Sequence, residues 1–367
     1  MGESVRRLGV VGAGLMGSEI AYVAAQAGVE VVLRDLDATL VEKGIDHARE
    51  IAERRVARGR LSREDADALL GRIVAAKSDA DLAGCDVVIE AVSEVMDVKR
   101  AVFRGLDAVT PPGTVLASNT SGLSISEIAR TTSRPDRVLG LHFFNPASTM
   151  KLVEVIRGEA TSDETAELGM ALARQLGKTP VAVGECPGFL VNRILARALF
   201  EAYRHAADVG ADHAAVDAAV ADGGPAPMGP FALGDLIGLD TLAHVQRDLE
   251  AAYGERYQDG LTLAPLVAAG RLGQKIGGGF FSGAVDAPVV TPAALSVRDR
   301  YYFGALDEAR RCLEEGIATA PDIDTAMCLG TGWSEGPLAW AEGLGENVVR
   351  ARMTELAATA GPRFIVR

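Results

Sequence analysis

Cysteine, positive charge and a hydrophobic leader are all in short supply in this chain. Its four cysteines, Cys85, Cys186, Cys312 and Cys328, are scattered through 367 residues without the close pairing that metal ligands show. Buried reduced thiols are the simpler reading, and no metal is expected. Lysine and arginine number 37 against 50 aspartates and glutamates, a net charge of −13. That balance argues against nucleic acid or an anionic membrane as partner. The opening Met1-Gly2-Glu3-Ser4-Val5-Arg6-Arg7 leads straight into a short strand and a glycine-rich turn, too soon for a spanning helix or a secretory leader. The cytoplasm is the expected compartment.

What is present suits a globular protein: 48% of residues are apolar and 24% charged, over a length that can bury two cores. Arg7 to Val11 reads as a buried strand, followed by Gly12-Ala13-Gly14-Leu15-Met16-Gly17 and a helix. A second strand from Val29 to Leu33 ends at Asp35, 23 residues beyond Gly12. Strand, three glycines, helix, strand and acid form the dinucleotide-binding pattern: Gly12, Gly14, Met16 and Gly17 lie where the backbone meets a pyrophosphate, and Asp35 where it meets the adenosine ribose. An acid there favours NAD over NADP. Arg34 beside it is the one feature that would welcome a 2′-phosphate, and a turn or cap is the alternative role for Asp35.

From Thr39 to Ala66 the pattern is helical, with Arg54, Arg55, Arg58 and Arg60 forming a basic stretch. It is either a solvated helix face or a phosphate site. Asp86 to Val92 is an apolar strand whose carboxyl end leads to Ser93, Glu94 and Lys99, the ligand side of an open parallel sheet. Val115 to Ala117 delivers Ser121 to the same edge. Further on, Val138 to Phe143 is an apolar run carrying His142 just before Asn145-Pro146, and Leu152 to Ile156 alternates so that Glu154 faces inward with Leu152 and Ile156. A buried carboxylate requires a partner. His142 is the candidate, and a carboxylate that fixes an imidazole tautomer makes a general base. The plainer alternative is a core histidine satisfied by a backbone carbonyl.

These runs, Ser118-Asn119-Thr120-Ser121, His142-Phe143-Phe144-Asn145-Pro146 and Met150-Lys151-Leu152-Val153-Glu154-Val155, resemble the 3-hydroxyacyl-CoA dehydrogenase family, and the likeness extends over essentially the whole chain. The resemblance implies an NAD-dependent oxidation of a (3S)-3-hydroxyacyl-CoA to the 3-ketoacyl-CoA, or its reverse, within fatty acid β-oxidation. It implies His142 as base with Glu154 behind it, and Ser121 and Asn192 as holders of the reacting oxygen. Cofactor contacts would fall on Val92, Ser93, Glu94, Lys99, Ser121, Asn145 and Lys275. Coenzyme A would be met at Arg55, while the family's serine contact falls near Ala48 and is absent. Lys99 and Lys275 have plainer readings as solvated charges, and Asn192 as a tie between helix and loop. Ala147-Ser148-Thr149 hints at a short or polar acyl group. An acyl carrier protein in place of coenzyme A, a free hydroxy acid, and a non-catalytic crystallin-like NAD-binding protein are the rival readings.

Pro187-Gly188 breaks the chain, so residues 1–186 are expected to form a Rossmann-type α/β domain with a mostly parallel, doubly wound sheet. An all-α domain follows over 187–282, opened by a long amphipathic helix that carries Asn192. After a linker at 283–297, a second, shorter helical copy occupies 298–367. The copies align at an offset of 107: Glu201 with Glu308, Asp217 with Asp324, Gly223 with Gly330, Gly229-Pro230 with Gly336-Pro337, Gly238 with Gly345. Asp299 stands where Asn192 does in the first copy. Because the family dimerises through its helical domain, the duplication points to a pseudo-dimeric monomer, with a homodimer as the alternative.

Overall fold

Eight apolar runs of the first half pair into one sheet: β1 (Arg7–Val11), β2 (Glu30–Arg34), β3 (Ile73–Ala75), β4 (Val87–Glu90), β5 (Val115–Ser118), β6 (Val138–Phe143), β7 (Leu152–Arg157) and β8 (Thr179–Gly184). The computed structural model describes residues 4–283 and 287–365. Strand order is β3-β2-β1-β4-β5-β6-β7-β8, parallel throughout except between β6 and β7. Strands β4 and β6 are buried at every position, as expected of strands covered on both faces. The connecting helices are α1 (Leu15–Gln26), α2 (Ala38–Ala57), α3 (Arg63–Leu70), α4 (Met96–Val109), α5 (Ile125–Ala129) and α6 (Asp163–Gln175). Asp37, Ser62, Ser124 and Ser162 each accept a backbone N–H at the start of α2, α3, α5 and α6, fixing where those helices begin. This is the doubly wound sheet expected.

Two local readings are corrected. The helical pattern from Thr39 to Ala66 is interrupted: α2 ends at Ala57, Gly59 takes a positive φ of 65°, and Ser62 caps a separate α3. The short β3 was not expected at all, because three residues, two of them exposed, carry no alternation.

The chain divides into two compact units, residues 1–186 and 187–367. The second holds α7 (Val191–Val209), α8 (His213–Asp222), α9 (Pro230–Ile237), α10 (Leu239–Tyr253), α11 (Leu263–Ala268), α12 (Pro292–Glu314), α13 (Ala320–Thr331), α14 (Pro337–Leu344) and α15 (Glu346–Ala360). Helix α12 begins at Pro292, capped by Thr291, so the later part of the stretch read as a linker is helical. Residues 284–286 of that stretch lie outside the described residues.

The offset of 107 recurs in three dimensions. Asp217 accepts the N–H groups of Phe231 and Ala232 at the start of α9 (2.9 and 2.8 Å), and Asp324 those of Leu338 and Ala339 at the start of α14 (2.9 and 3.0 Å). A Cβ on Gly229 or on Gly336 would come within 2.2 Å of Asp217 or Asp324, so each cap demands its glycine. Between the copies the pairing is reciprocal. Arg193 on α7 binds Glu308 on α12 at 2.7 Å, and its counterpart Arg300 on α12 binds Glu201 on α7 at 2.8 Å. Arg256 reaches Glu308 (2.9 Å) as Arg363 approaches Glu201 (3.6 Å). A contact in which i meets j and j meets i is the signature of a two-fold interface. Both glutamates are fully buried. Burial alone would push their carboxyls up, but the arginines outweigh it and hold both below the usual range. Among the described residues no helix is long and apolar enough to cross a membrane, and no cluster of side chains could hold a metal ion.

Candidate active site

The loop from β1 to α1 is shaped by its glycines. Gly12 has φ of 102°, and a Cβ there would meet the Ala91 carbonyl oxygen at 2.5 Å; a Cβ on Gly17 would meet the Gly12 oxygen at 1.7 Å. Gly14 differs, for a Cβ there would meet nothing within 4 Å. Its bareness leaves the backbone open to a ligand at the start of α1, which has no side-chain cap. Met16 lies in the first turn of α1, packed against the core of this unit. Asp35 follows β2 and folds back on the loop, accepting the N–H of Ala13 and of Leu36, both at 2.6 Å. Arg34 is turned to Asp79 at 2.7 Å, away from the role that would favour a 2′-phosphate. The residues present therefore fit a dinucleotide with free ribose hydroxyls.

Beyond β4 the expected contacts form a network. Lys99 is only 1% exposed, not a surface charge. Its ammonium lies 2.7 Å from Glu90 and 3.1 Å from Glu94. Glu90, the last residue of β4, also accepts the Val92 N–H at 2.7 Å and the Ser118 hydroxyl at 2.6 Å. Glu94 accepts the Thr120 hydroxyl (2.6 Å), the Ser121 N–H (2.8 Å) and the Ser121 hydroxyl (3.1 Å). Burial would raise the Glu94 carboxyl, but Lys99 and these donors bring it below its ordinary value. Lys99 thus sets the place of Glu94 and through it the loop that carries Ser121. Glu90 was not singled out from the sequence. The signal existed: a charge closing the apolar run Val87-Val88-Ile89, as Glu154 interrupts its own.

His142 and Glu154 are register partners on the antiparallel strands β6 and β7. Their side chains meet, Nδ1 to Oε2 at 2.7 Å, with Glu154 fully buried. A carboxylate at Nδ1 holds the proton there and leaves Nε2 the basic nitrogen. The ring packs on Phe144 at 4.5 Å between centroids, and the Asn119 amide oxygen accepts the Phe143 N–H at 2.9 Å, tying the end of β6 to the loop after β5. The geometry is that of a positioned general base. Asn145 is exposed just beyond it.

On the same unit a cavity of about 740 Å³ is lined by Arg54, Arg55, Arg58, Arg60, Lys151 and Lys178, with Glu19 among them. The four arginines were read as either a solvated face or a phosphate site, with Arg55 singled out for coenzyme A; Lys151 and Lys178 were not expected there. Lys178 donates to the carbonyls of Ala147 and, at 2.8 Å, Met150, while Glu19 accepts the Ser148 N–H at 2.6 Å, so both ends of the turn between β6 and β7 are held. Burial first, then Lys151 and Arg55 nearby, push the Lys178 amine down to about 8. Nothing in the local sequence Gly177-Lys178 marks it. In the helical unit, Asn192 lies in the first turn of α7, and Lys275 is paired with Asp240 at 2.6 Å on the surface.

A dinucleotide loop that shares its sheet with a carboxylate-backed imidazole suits the exchange of a hydride for a proton, and the protein is an NAD-dependent oxidoreductase. Known proteins narrow this. The NAD binding domain of 3-hydroxyacyl-CoA dehydrogenase matches residues 7–186, and the C-terminal domain of the same family matches 188–283 and again 297–367. The chain belongs to the 3-hydroxyacyl-CoA dehydrogenase family. It is 42% identical over 278 residues to a probable 3-hydroxybutyryl-CoA dehydrogenase of Bacillus subtilis, covering 76% of this chain and 97% of that one. It is 36% identical over 368 residues to the fatty acid oxidation complex subunit alpha of Idiomarina loihiensis, covering 94% of this chain. It spans only 51% of that larger protein. The crystal structure of 3-hydroxybutyryl-CoA dehydrogenase from Escherichia coli K12 superposes with a TM-score of 0.94 at 32% identity, covering 100% of this chain and 97% of the other.

Proposed function

We propose that this chain interconverts a short (3S)-3-hydroxyacyl-CoA and its 3-ketoacyl-CoA, and the observation that carries the reading is the 2.7 Å contact of His142 with buried Glu154. Bound NAD supplies the hydride acceptor. His142 Nε2 takes the hydroxyl proton as the carbon–oxygen double bond forms, and Glu154 balances the imidazolium that results. Ser121, and on family resemblance Asn192, hold the oxygen whose charge changes. Asp35 and the backbone around Gly14 hold the dinucleotide.

The basic cavity favours coenzyme A over a carrier protein or a free acid. Six cations around one carboxylate repel one another unless phosphate groups neutralise them, and a 3′-phosphorylated ADP brings three such groups. Short acyl groups are supported by the small Ala147-Ser148-Thr149 turn and by the relatives named for 3-hydroxybutyryl-CoA. The reciprocal arginine–glutamate pairs between the two helical copies support a pseudo-dimeric monomer, with the second copy in the place of a partner subunit. A cytoplasmic location remains part of the proposal. The deciding experiment is an NADH absorbance assay with 3-hydroxybutyryl-CoA, a long 3-hydroxyacyl-CoA, a carrier-linked thioester and free 3-hydroxybutyrate side by side. The coenzyme A thioesters, the short one first, are expected to turn over best; faster turnover of the carrier-linked thioester or the free acid would overturn the reading.

A further inference from the structure

The charges behind the cofactor edge do not cancel. One ammonium, Lys99, lies between two carboxylates, 2.7 Å from Glu90 and 3.1 Å from Glu94. Each carboxylate also takes donors that match its ionised form: two at Glu90 and three at Glu94, all between 2.6 and 3.1 Å. Glu90 and Lys99 have 0% and 1% of their side chains exposed, while Glu94 has 39% and faces the open edge of the sheet. Neighbouring Asp97, Arg100 and Glu127 pair among themselves at the surface, where salt screens them.

The triad gathers at the carboxyl end of β4, across the β1–β4 switch point from Asp35. In a sheet of this order the two halves of a dinucleotide straddle that point. If Asp35 takes the adenosine half, the other half falls to the β4–β6 side, with Ser121 and His142. A nicotinamide ring is cationic when oxidised and neutral once it has received a hydride. We propose that Glu90, Lys99 and Glu94 act together as a redox-state discriminator, their single net negative charge binding the oxidised nicotinamide more tightly than the reduced one. Glu90 is a positioning residue in this scheme: it never meets the cofactor, but it sets both the location of Lys99 and the sum of charge.

The inference rests on NAD as cofactor and is tested by binding, without substrate. The readout is the ratio of the Kd for NADH to the Kd for NAD⁺, measured by titration of the purified protein. Glu90→Gln and Glu94→Gln each bring the triad to neutrality from a different position. Both should lower the ratio, by about tenfold, the scale of one unit charge in a partly solvated site. The double variant Glu90→Gln with Lys99→Met keeps Glu94 alone, restores the net charge and should restore the ratio although the network is gone. A merely structural role would weaken both forms together and leave the ratio still. A ratio within twofold of wild type in Glu94→Gln, whose exposed side chain makes misfolding no excuse, overturns the proposal, as does a double variant that keeps the shifted ratio. Failure of the wild-type protein to bind either form would instead strike at the cofactor assignment.

Discussion

Replacing Glu154 by Gln tests the chemistry most directly, because it preserves shape and removes one charge. The Glu154 side chain is fully buried, and its oxygen lies 2.7 Å from His142 Nδ1. When His142 holds the substrate proton, the pair is a cation beside an anion. Two unit charges about 4 Å apart interact by about 4 kcal/mol at an effective dielectric near 20. The Gln amide oxygen can still accept the Nδ1 proton and retains part of this. A net loss of about 2–3 kcal/mol lowers turnover roughly 30- to 150-fold. If the amide turns its NH₂ toward Nδ1 the wrong tautomer is held, and the loss is larger still. The assay is the initial rate of NADH formation at saturating 3-hydroxybutyryl-CoA, with NAD affinity from a separate titration and folding from circular dichroism. Turnover should collapse while NAD affinity stays. A folded variant turning over within threefold of wild type would refute the role of the pair.

Other outcomes follow from the same structure. His142→Ala removes the base itself and should cost about 100- to 10,000-fold in turnover with NAD affinity intact, by the same assay. Lys178, pushed down to about 8, must be protonated to serve a phosphate, so coenzyme A affinity should fall above that pH in wild type and stay level from pH 7 to 9 in Lys178→Arg, by calorimetry. Because its folded value lies below the ordinary 10.5, the unliganded protein also gains stability as pH rises from about 8 to 10.5. Glu308→Ala takes from Arg256 its carboxylate and leaves buried Arg193 with Glu315 alone, and should destabilise the helical unit by about 3–5 kcal/mol in urea melts. Glu201 and Glu308, held below 4.5, contribute fully above that pH and lose the contribution as pH falls through their folded values, so acid should break these reciprocal pairs. Sedimentation at low micromolar concentration should return the mass of one chain, 38.3 kDa; twice that mass would overturn the pseudo-dimer.

Much of the catalytic unit was legible because its rules are local. Gly12, Gly14, Gly17 and Asp35 announce themselves by spacing between apolar runs, and Glu154 by standing inside one. The pairing of Glu154 with His142 also depends on the antiparallel register of β6 and β7, which appears only in the fold. Lys99, read as a cofactor-side residue with a solvated charge as the plainer alternative, is a helix position that gives no hint of what it faces; its contact with Glu90 appears only in the fold. Lys151 and Lys178 are brought to the arginines of α2 by tertiary folding alone, and no sequence pattern joins them. The repeat was visible as matched letters, while the crossing of Arg193 to Glu308 and Arg300 to Glu201 emerged only in space.

Tethering has a price and a liberty that two free subunits do not share. Joined by one backbone, the braced halves face each other at an effective concentration fixed by the connecting segment, so dilution cannot part them. In an assembly of identical chains every substitution lands on both sides of the axis at once. Here each side mutates alone, which is how Asp299 can occupy the position of Asn192 and bind Arg298 and Arg352 instead, leaving the other half unchanged.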